Sequence, residues 1–169
     1  MNFANMKDLY IDQLRDLYSA ENQLLDALPK MAQAASSSEL KQAFQDHLEE
    51  TRGHKQRLEQ VFSSLDISPQ GQKCEAMEGL IQESDEIIRA TGDPTVKDAA
   101  LIAAACRVEH YEMAGYGSVR TFADELGYGE AKSLLQETLN EEGDADDKLT
   151  AIATGGLLST GINEQAVSG

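Results

Sequence analysis

Val108-Glu109-His110-Tyr111-Glu112-Met113-Ala114 is the stretch on which the fold of this chain turns. It lies in an alanine-rich run, Ala99 to Ala123, that reads as one long helix. On a wheel of 3.6 residues per turn, Leu101, Ala105, Val108, Tyr116, Val119 and Ala123 share one stripe. Glu109 and Glu112 fall inside that stripe, not opposite it. Ionised carboxylates on the apolar face of a buried helix cost several kcal/mol each unless something compensates them. The remaining sequence must therefore supply partners for them.

Four further helices are predicted around this one. The first runs from about Lys7 to about Ala35, with Leu14, Leu17, Glu21, Leu24, Leu28 and Met31 on its inner face; Pro29 should kink it or weaken one turn. Ser36 and Glu39 fit a capping box that opens the second, about Glu39 to Leu65. Leu40, Phe44, His47, Thr51, His54, Leu58 and Val61 line its inner face, with Glu50 at the edge and Glu49 pointing away. After the break at Asp66–Gln72, a short amphipathic helix from about Cys74 to Thr91 has no buried charge and reads as a crossover connection. Gly92-Asp93-Pro94 closes it and opens the long helix, about Thr95 to Leu126. The last helix runs from about Glu130 to Thr154, with Leu135, Thr138, Leu139, Glu142, Ala145 and Leu149 inward and Asp146 one turn beyond Glu142. Domain organisation is thus a helical bundle over residues 1–155 and a Gly- and Ser-rich tail, 156–169, expected to be mobile.

The inward acids are placed in register. Residues equidistant from the turn of an antiparallel hairpin sit at equal height. Glu21 and Glu50 are centred on the turn at Ala35–Ser36, and Glu112 and Glu142 on Gly127. Two such hairpins form an antiparallel four-helix bundle whose mid-height carries about six carboxylates and one or two imidazoles. Cations between them relieve the repulsion. The candidate metal set is Glu21, Glu50, His54, Glu109, Glu112, Glu142 and Asp146. Mixed carboxylate and imidazole donors suit two iron ions, or manganese, better than zinc. His47 reads as structural, His110 as lying off the stripe, Tyr116 as a packed tyrosine, and Asp144 and Asp147 as solvated charges.

Three runs, His47-Leu48-Glu49-Glu50-Thr51-Arg52-Gly53, Ala76-Met77-Glu78-Gly79-Leu80-Ile81 and Val108-Glu109-His110-Tyr111-Glu112, resemble the YciF-like stress-protein family, also called DUF892, a ferritin-like group. The likeness extends from about Met6 to about Ala153. It implies a ferritin-like bundle, dimeric as a rule, with a di-iron site on Glu21, Glu50, Glu109, Glu112 and Glu142. The chain departs from the usual Glu-x-x-His spacing: it has Glu50-x-x-x-His54 and Glu142-x-x-x-Asp146.

Composition narrows the function. A net charge of -16 over 169 residues argues against nucleic acid and anionic membrane surfaces as partners. No apolar run approaches the ~20 residues of a membrane span. The start lacks the apolar region of a signal peptide, and Cys74 and Cys106 have no metal-finger or CxxC spacing, so a cytoplasmic protein with reduced thiols is expected. No nucleophile motif or phosphate-binding loop is present, so no catalytic side chain is assigned. Three functions remain: a di-iron oxidoreductase, ferroxidase- or peroxidase-like, acting on dioxygen or hydrogen peroxide in stress response; a metal-binding protein without turnover; and a metal-free dimeric interaction module.

Overall fold

In a computed structural model, which describes residues 3–156 and 159–168, the chain is a ferritin-like antiparallel four-helix bundle with one added crossover helix. The bundle helices are α1 (Met6–Ala34), α2 (Ser38–Ser64), α4 (Pro94–Glu125) and α5 (Gly129–Thr154). The crossover helix α3 (Glu75–Arg89) packs across α1 and α4. Every predicted helix is present, with ends within two residues of the sequence expectation.

The helix starts follow from local hydrogen bonding. Asn5 accepts from the Asp8 N–H at 3.0 Å and opens α1. Asp93 accepts from the N–H groups of Thr95 and Val96 and opens α4, with Pro94 at the first position, where its missing N–H is harmless. Gly127, at φ 75, makes the left-handed turn between α4 and α5 that a side chain would strain. Pro29 leaves α1 unbroken as a helix.

The turn between α1 and α2 differs from the capping box expected at Ser36. The N-cap is Ser37, whose hydroxyl accepts from Leu40 N–H. A residue from across the bundle completes the turn: the buried Asp98 carboxylate of α4 accepts from Ser36 N–H at 2.8 Å and Ser37 N–H at 2.7 Å. Asp98 thus locks the first hairpin onto the second.

Two apolar clusters fill the interior, one towards each end of the bundle. Leu24, Leu28, Met31, Leu40, Phe44 and Leu101 belong to the first. Tyr10, Leu14, Leu17, Leu58, Phe62 and Val119 belong to the second. Between them, along all four bundle helices, lies a buried polar layer of Glu21, His47, Thr51, His54, Glu109, Glu112, Thr138 and Glu142. Just beside that layer α4 passes close to α1: a Cβ on Gly115 would come within 2.7 Å of Leu17 Cδ2.

The tail, expected to be mobile, is described in part and docks in part. Two-residue strands β1 (Gly155–Gly156) and β2 (Ser159–Thr160) pair antiparallel. The short helix α6 (Ile162–Ser168) then places Ile162, buried, in the first apolar cluster. Among the described residues no helix is long and apolar enough to cross a membrane.

Candidate metal centre

The buried polar layer gathers six donors into two overlapping groups. His47, Glu109, Glu112 and Glu142 form one; Glu21, His54 and Glu142 form the other; within each, one ligand atom per residue lies within 4.8 Å of the rest. Glu142 belongs to both. The first hairpin supplies Glu21 from α1 and both histidines from α2; the second supplies Glu109 and Glu112 from α4 and Glu142 from α5. Seven-residue spacing puts His47 and His54 two turns apart on one face of α2.

Each imidazole has an outward and an inward nitrogen. His47 Nδ1 lies 3.3 Å from Glu50 Oε2, and its Nε2 faces inward, 3.4 Å from Glu109 and 3.7 Å from Glu142. His54 Nε2 lies 2.9 Å from Glu141 Oε2, and its Nδ1 faces inward, 3.0 Å from Glu142 and 3.5 Å from Glu21. Arg57 holds Glu141 in turn through contacts of 2.6 and 2.8 Å. A histidine whose outer N–H donates to a carboxylate has its tautomer set and its other nitrogen available as a donor to a metal. On α1, Glu21 accepts a short hydrogen bond from the buried Tyr116 hydroxyl.

The inward atoms lack hydrogen-bond partners among the described residues. They are Glu21 Oε2, His47 Nε2, His54 Nδ1, Glu109 Oε2 and both oxygens of Glu112 and Glu142. Buried polar atoms are nearly always satisfied, and so many orphans converging on one point mark a place for a cation. Burial first, then the neighbouring Glu142, Glu21 and Glu109 charges, push the Glu112 carboxyl well above its ordinary range. Burial and Glu109 do the same to Glu142, and burial raises Glu109 against the pull of His47. Burial alone would lower His47, but Glu109, Glu50 and Glu142 outweigh it and raise the imidazole to about 9. His54 is raised likewise, chiefly by Glu21, against the same effect of burial. This donor chemistry fits divalent cations bound by oxygen and imidazole nitrogen.

Five of the seven sequence candidates meet in the layer: Glu21, His54, Glu109, Glu112 and Glu142. Glu50 and Asp146 lie outside both groups. The Glu50 side chain is 46% exposed, not turned inward, and meets the layer at His47. Asp146 faces sideways, 3.2 Å from the exposed His110, and is in contact with Cys106, whose thiol burial and Asp146 push up to about 12. Conversely His47, read as structural, joins the first group. The α2 stripe already contained its position; Glu50 drew attention because it is a carboxylate.

A family model described as a domain of unknown function, DUF892, matches residues 5–166. Over 154 residues the chain is 51% identical to Protein YciF of Escherichia coli, covering 90% of this chain and 93% of that one. The crystal structure of the E. coli stress protein YciF superposes with a TM-score of 0.85 over 88% of this chain and 94% of that one. YcfI of Rhodopseudomonas palustris, 44% identical, gives the same TM-score over 90% of this chain and 99% of that one. A two-domain protein of Anabaena variabilis with DJ-1/ThiJ/PfpI-like and ferritin-like domains matches at 15% identity and a TM-score of 0.56, over 94% of this chain and 42% of that one, a likeness of fold alone. With nearly its whole length matched, the chain belongs to the YciF-like DUF892 family.

Proposed function

We propose that the protein is a di-metal carboxylate protein of the stress response whose centre takes two iron ions, with manganese as the alternative. The charge of the polar layer carries this reading. Its four carboxylates, Glu21, Glu109, Glu112 and Glu142, are balanced by two divalent cations when His47 and His54 are neutral donors. Without metal, two protonated histidines offset half of that charge, and the buried carboxylates must take up protons to offset the rest. Glu21 and His54 would hold one ion, His47, Glu109 and Glu112 the other, and Glu142 both. A bound ferrous pair supplies the two electrons that, with two protons, reduce hydrogen peroxide to two waters, or begin the reduction of dioxygen.

The protein's own contribution is to hold and orient. Glu50 and Glu141 fix the two imidazole tautomers, and Arg57 keeps Glu141 in place. Tyr116 holds one oxygen of Glu21 and leaves the other inward. The apolar clusters on either side exclude bulk water, which strengthens every charge interaction in the layer. Homodimer formation and a cytoplasmic setting belong to the same proposal and rest on the family resemblance and the reduced-thiol reading.

The His–Glu contacts favour a second reading. His54 lies 3.0 Å from Glu142 and His47 3.4 Å from Glu109, so two imidazolium ions partly neutralise the acids without metal. A metal-free bundle acting as a dimeric interaction protein would use the layer in that form. Elemental analysis of protein purified without chelator separates the two readings, with Glu112→Ala and Glu142→Ala alongside. Two iron or manganese ions per chain, lost in the variants, and ferrous-dependent consumption of peroxide or dioxygen are expected. Absence of metal after anaerobic ferrous loading would overturn the di-metal reading.

A further inference from the structure

A cavity of about 90 Å³ opens between α2 and α5 and reaches the His47 side of the polar layer. Its walls are Ala43 and Phe44 of α2 and Ala145 and Leu149 of α5, the exposed carboxylates Glu50 and Asp144 lie on its rim, and the buried His47 and Glu109 form its floor. Lys148 stands at its mouth, where its ammonium spans from α5 to Asp46 of α2 at 2.6 Å. The larger hollows around Leu28 and Pro29, or around Arg15 and Gln72, touch no residue of the centre. Small residues at positions 43 and 145 leave this space open: a longer side chain at either would fill it.

We propose that this cavity is the port by which a small neutral oxidant, dioxygen or hydrogen peroxide, reaches the centre, and that the Lys148–Asp46 pair is its latch. The proposal rests on the di-metal reading. Two observations select the passenger. The volume exceeds the ~10–15 Å³ that one water needs but falls well short of the ~300 Å³ of an organic-ligand pocket. Ala43, Phe44, Ala145 and Leu149 make most of the wall apolar, which favours an uncharged molecule inside it, while Glu50 and Asp144 keep the rim polar. Bulkier organic hydroperoxides are kept out by the volume. The latch is weak: the Lys148 side chain is 47% exposed and Asp46 43%. A pair of that kind is worth at most ~1 kcal/mol, so losing it raises the open fraction by no more than about fivefold.

Two measurements test the port. The first needs no metal: apo protein under xenon pressure should hold xenon between Phe44 and Leu149, as an empty apolar cavity does. Ala145→Leu should remove it, and an empty wild-type cavity would overturn the proposal. The second follows the iron-loaded protein by stopped flow, mixing separately with hydrogen peroxide, dioxygen and tert-butyl hydroperoxide. Oxidation by whichever small oxidant is used should slow at least about tenfold in Ala145→Leu at unchanged iron content, and rise by up to about fivefold in Lys148→Ala. The bulky hydroperoxide should react slowly with every protein. Ala43→Val, a smaller filling, keeps the test available if Ala145→Leu does not fold, and should lie between it and wild type. Iron uptake with an oxidation rate indifferent to filling the cavity sinks the port alone. Xenon binding in a protein that takes no iron sinks the di-metal reading and the port with it.

Discussion

Replacing Glu112 by Gln should stabilise the metal-free protein at neutral pH. Both Glu112 oxygens are buried and without hydrogen-bond partners among the described residues, and the charges of Glu142, Glu21 and Glu109 are close by. In the apo fold the side chain escapes that field by binding a proton. At pH 7, for a group whose ordinary value is 4.5, the penalty of this protonation has an upper limit of about 3 kcal/mol. Gln has the same shape and no charge to suppress. Its amide leaves buried polar atoms unpaired, but so does the protonated carboxyl, and the two costs nearly cancel. A gain of up to about 3 kcal/mol at pH 7 is therefore expected. The raised folded value also fixes the pH dependence. The Glu112 contribution to wild-type stability is present in full below 4.5 and lost as pH rises through the folded value. The advantage of the variant should shrink to nothing near pH 4.5. Urea denaturation of chelator-treated wild type and Glu112→Gln, at pH 4.5, 6 and 7.5, measures it directly. With ferrous or manganous ions the order should invert, because the variant has lost a donor. A variant less stable than wild type at pH 7.5 without metal, or a difference that ignores pH, would refute the reasoning.

Glu141→Ala removes the acceptor that sets the His54 tautomer, and metal affinity should fall by about 10–100-fold in a competition titration while the apo fold is retained. Apo wild type should melt at progressively lower temperature as pH rises from 5 to 9: Glu109, Glu112 and Glu142 are all raised, and His47, raised to about 9, loses its contribution between 6.5 and 9. Saturating metal should flatten that slope, and uptake should release protons detectable in a weakly buffered titration. Asp98→Ala should cost about 2–4 kcal/mol, read by denaturation, because it strips the acceptor from two N–H groups and leaves metal content unchanged.

What was legible in the sequence, and what was not, divides along physical lines. Helix ends were legible because caps, Gly and Pro act within a few residues, as at Asp93-Pro94 and Gly127. Register was legible because a tight helical hairpin makes height a matter of arithmetic, which is why Glu112 and Glu142 meet. Asp98 was invisible in the sequence: its partners, Ser36 and Ser37 N–H, lie some sixty residues away and are created by the hairpin turn itself. Glu141 and Arg57 were missed for a related reason, since they act through the outer nitrogen of His54 and sit outside every apolar stripe.

Glu50 and Asp146 show where residue chemistry misleads and angle does not. Measured round α2 from His54, His47 lies about 20° away on the side of Thr51 and Leu58, whereas Glu50 lies about 40° away on the other side. The stripe therefore centres on the imidazoles. Asp146 sits about 40° from Glu142, away from Leu149 and Ala145, and so turns towards His110 instead of the layer. A carboxylate at the edge of a stripe remains half in water, where it can ionise freely and donate its charge to an imidazole. A carboxylate at the centre has no such freedom and must be protonated, paired or metallated. That distinction turns an apparent surplus of acids into two roles: Glu21, Glu109, Glu112 and Glu142 at the centre, and Glu50 and Glu141 at the edge behind the histidines. It also accounts for the chain's departure from Glu-x-x-His. On α2 the residue three before His54 is Thr51, whose hydroxyl donates to the His47 carbonyl, and the donor one further turn back is His47 itself. The first hairpin thus offers two imidazoles and one carboxylate where the second offers three carboxylates. Because each ion draws on both hairpins, the difference falls between the groups, four donors in one and three in the other, and predicts unequal affinities for the two ions. A ferrous or manganous titration of the apo protein should resolve two steps, and Glu21→Ala should remove one of them while leaving the other in place.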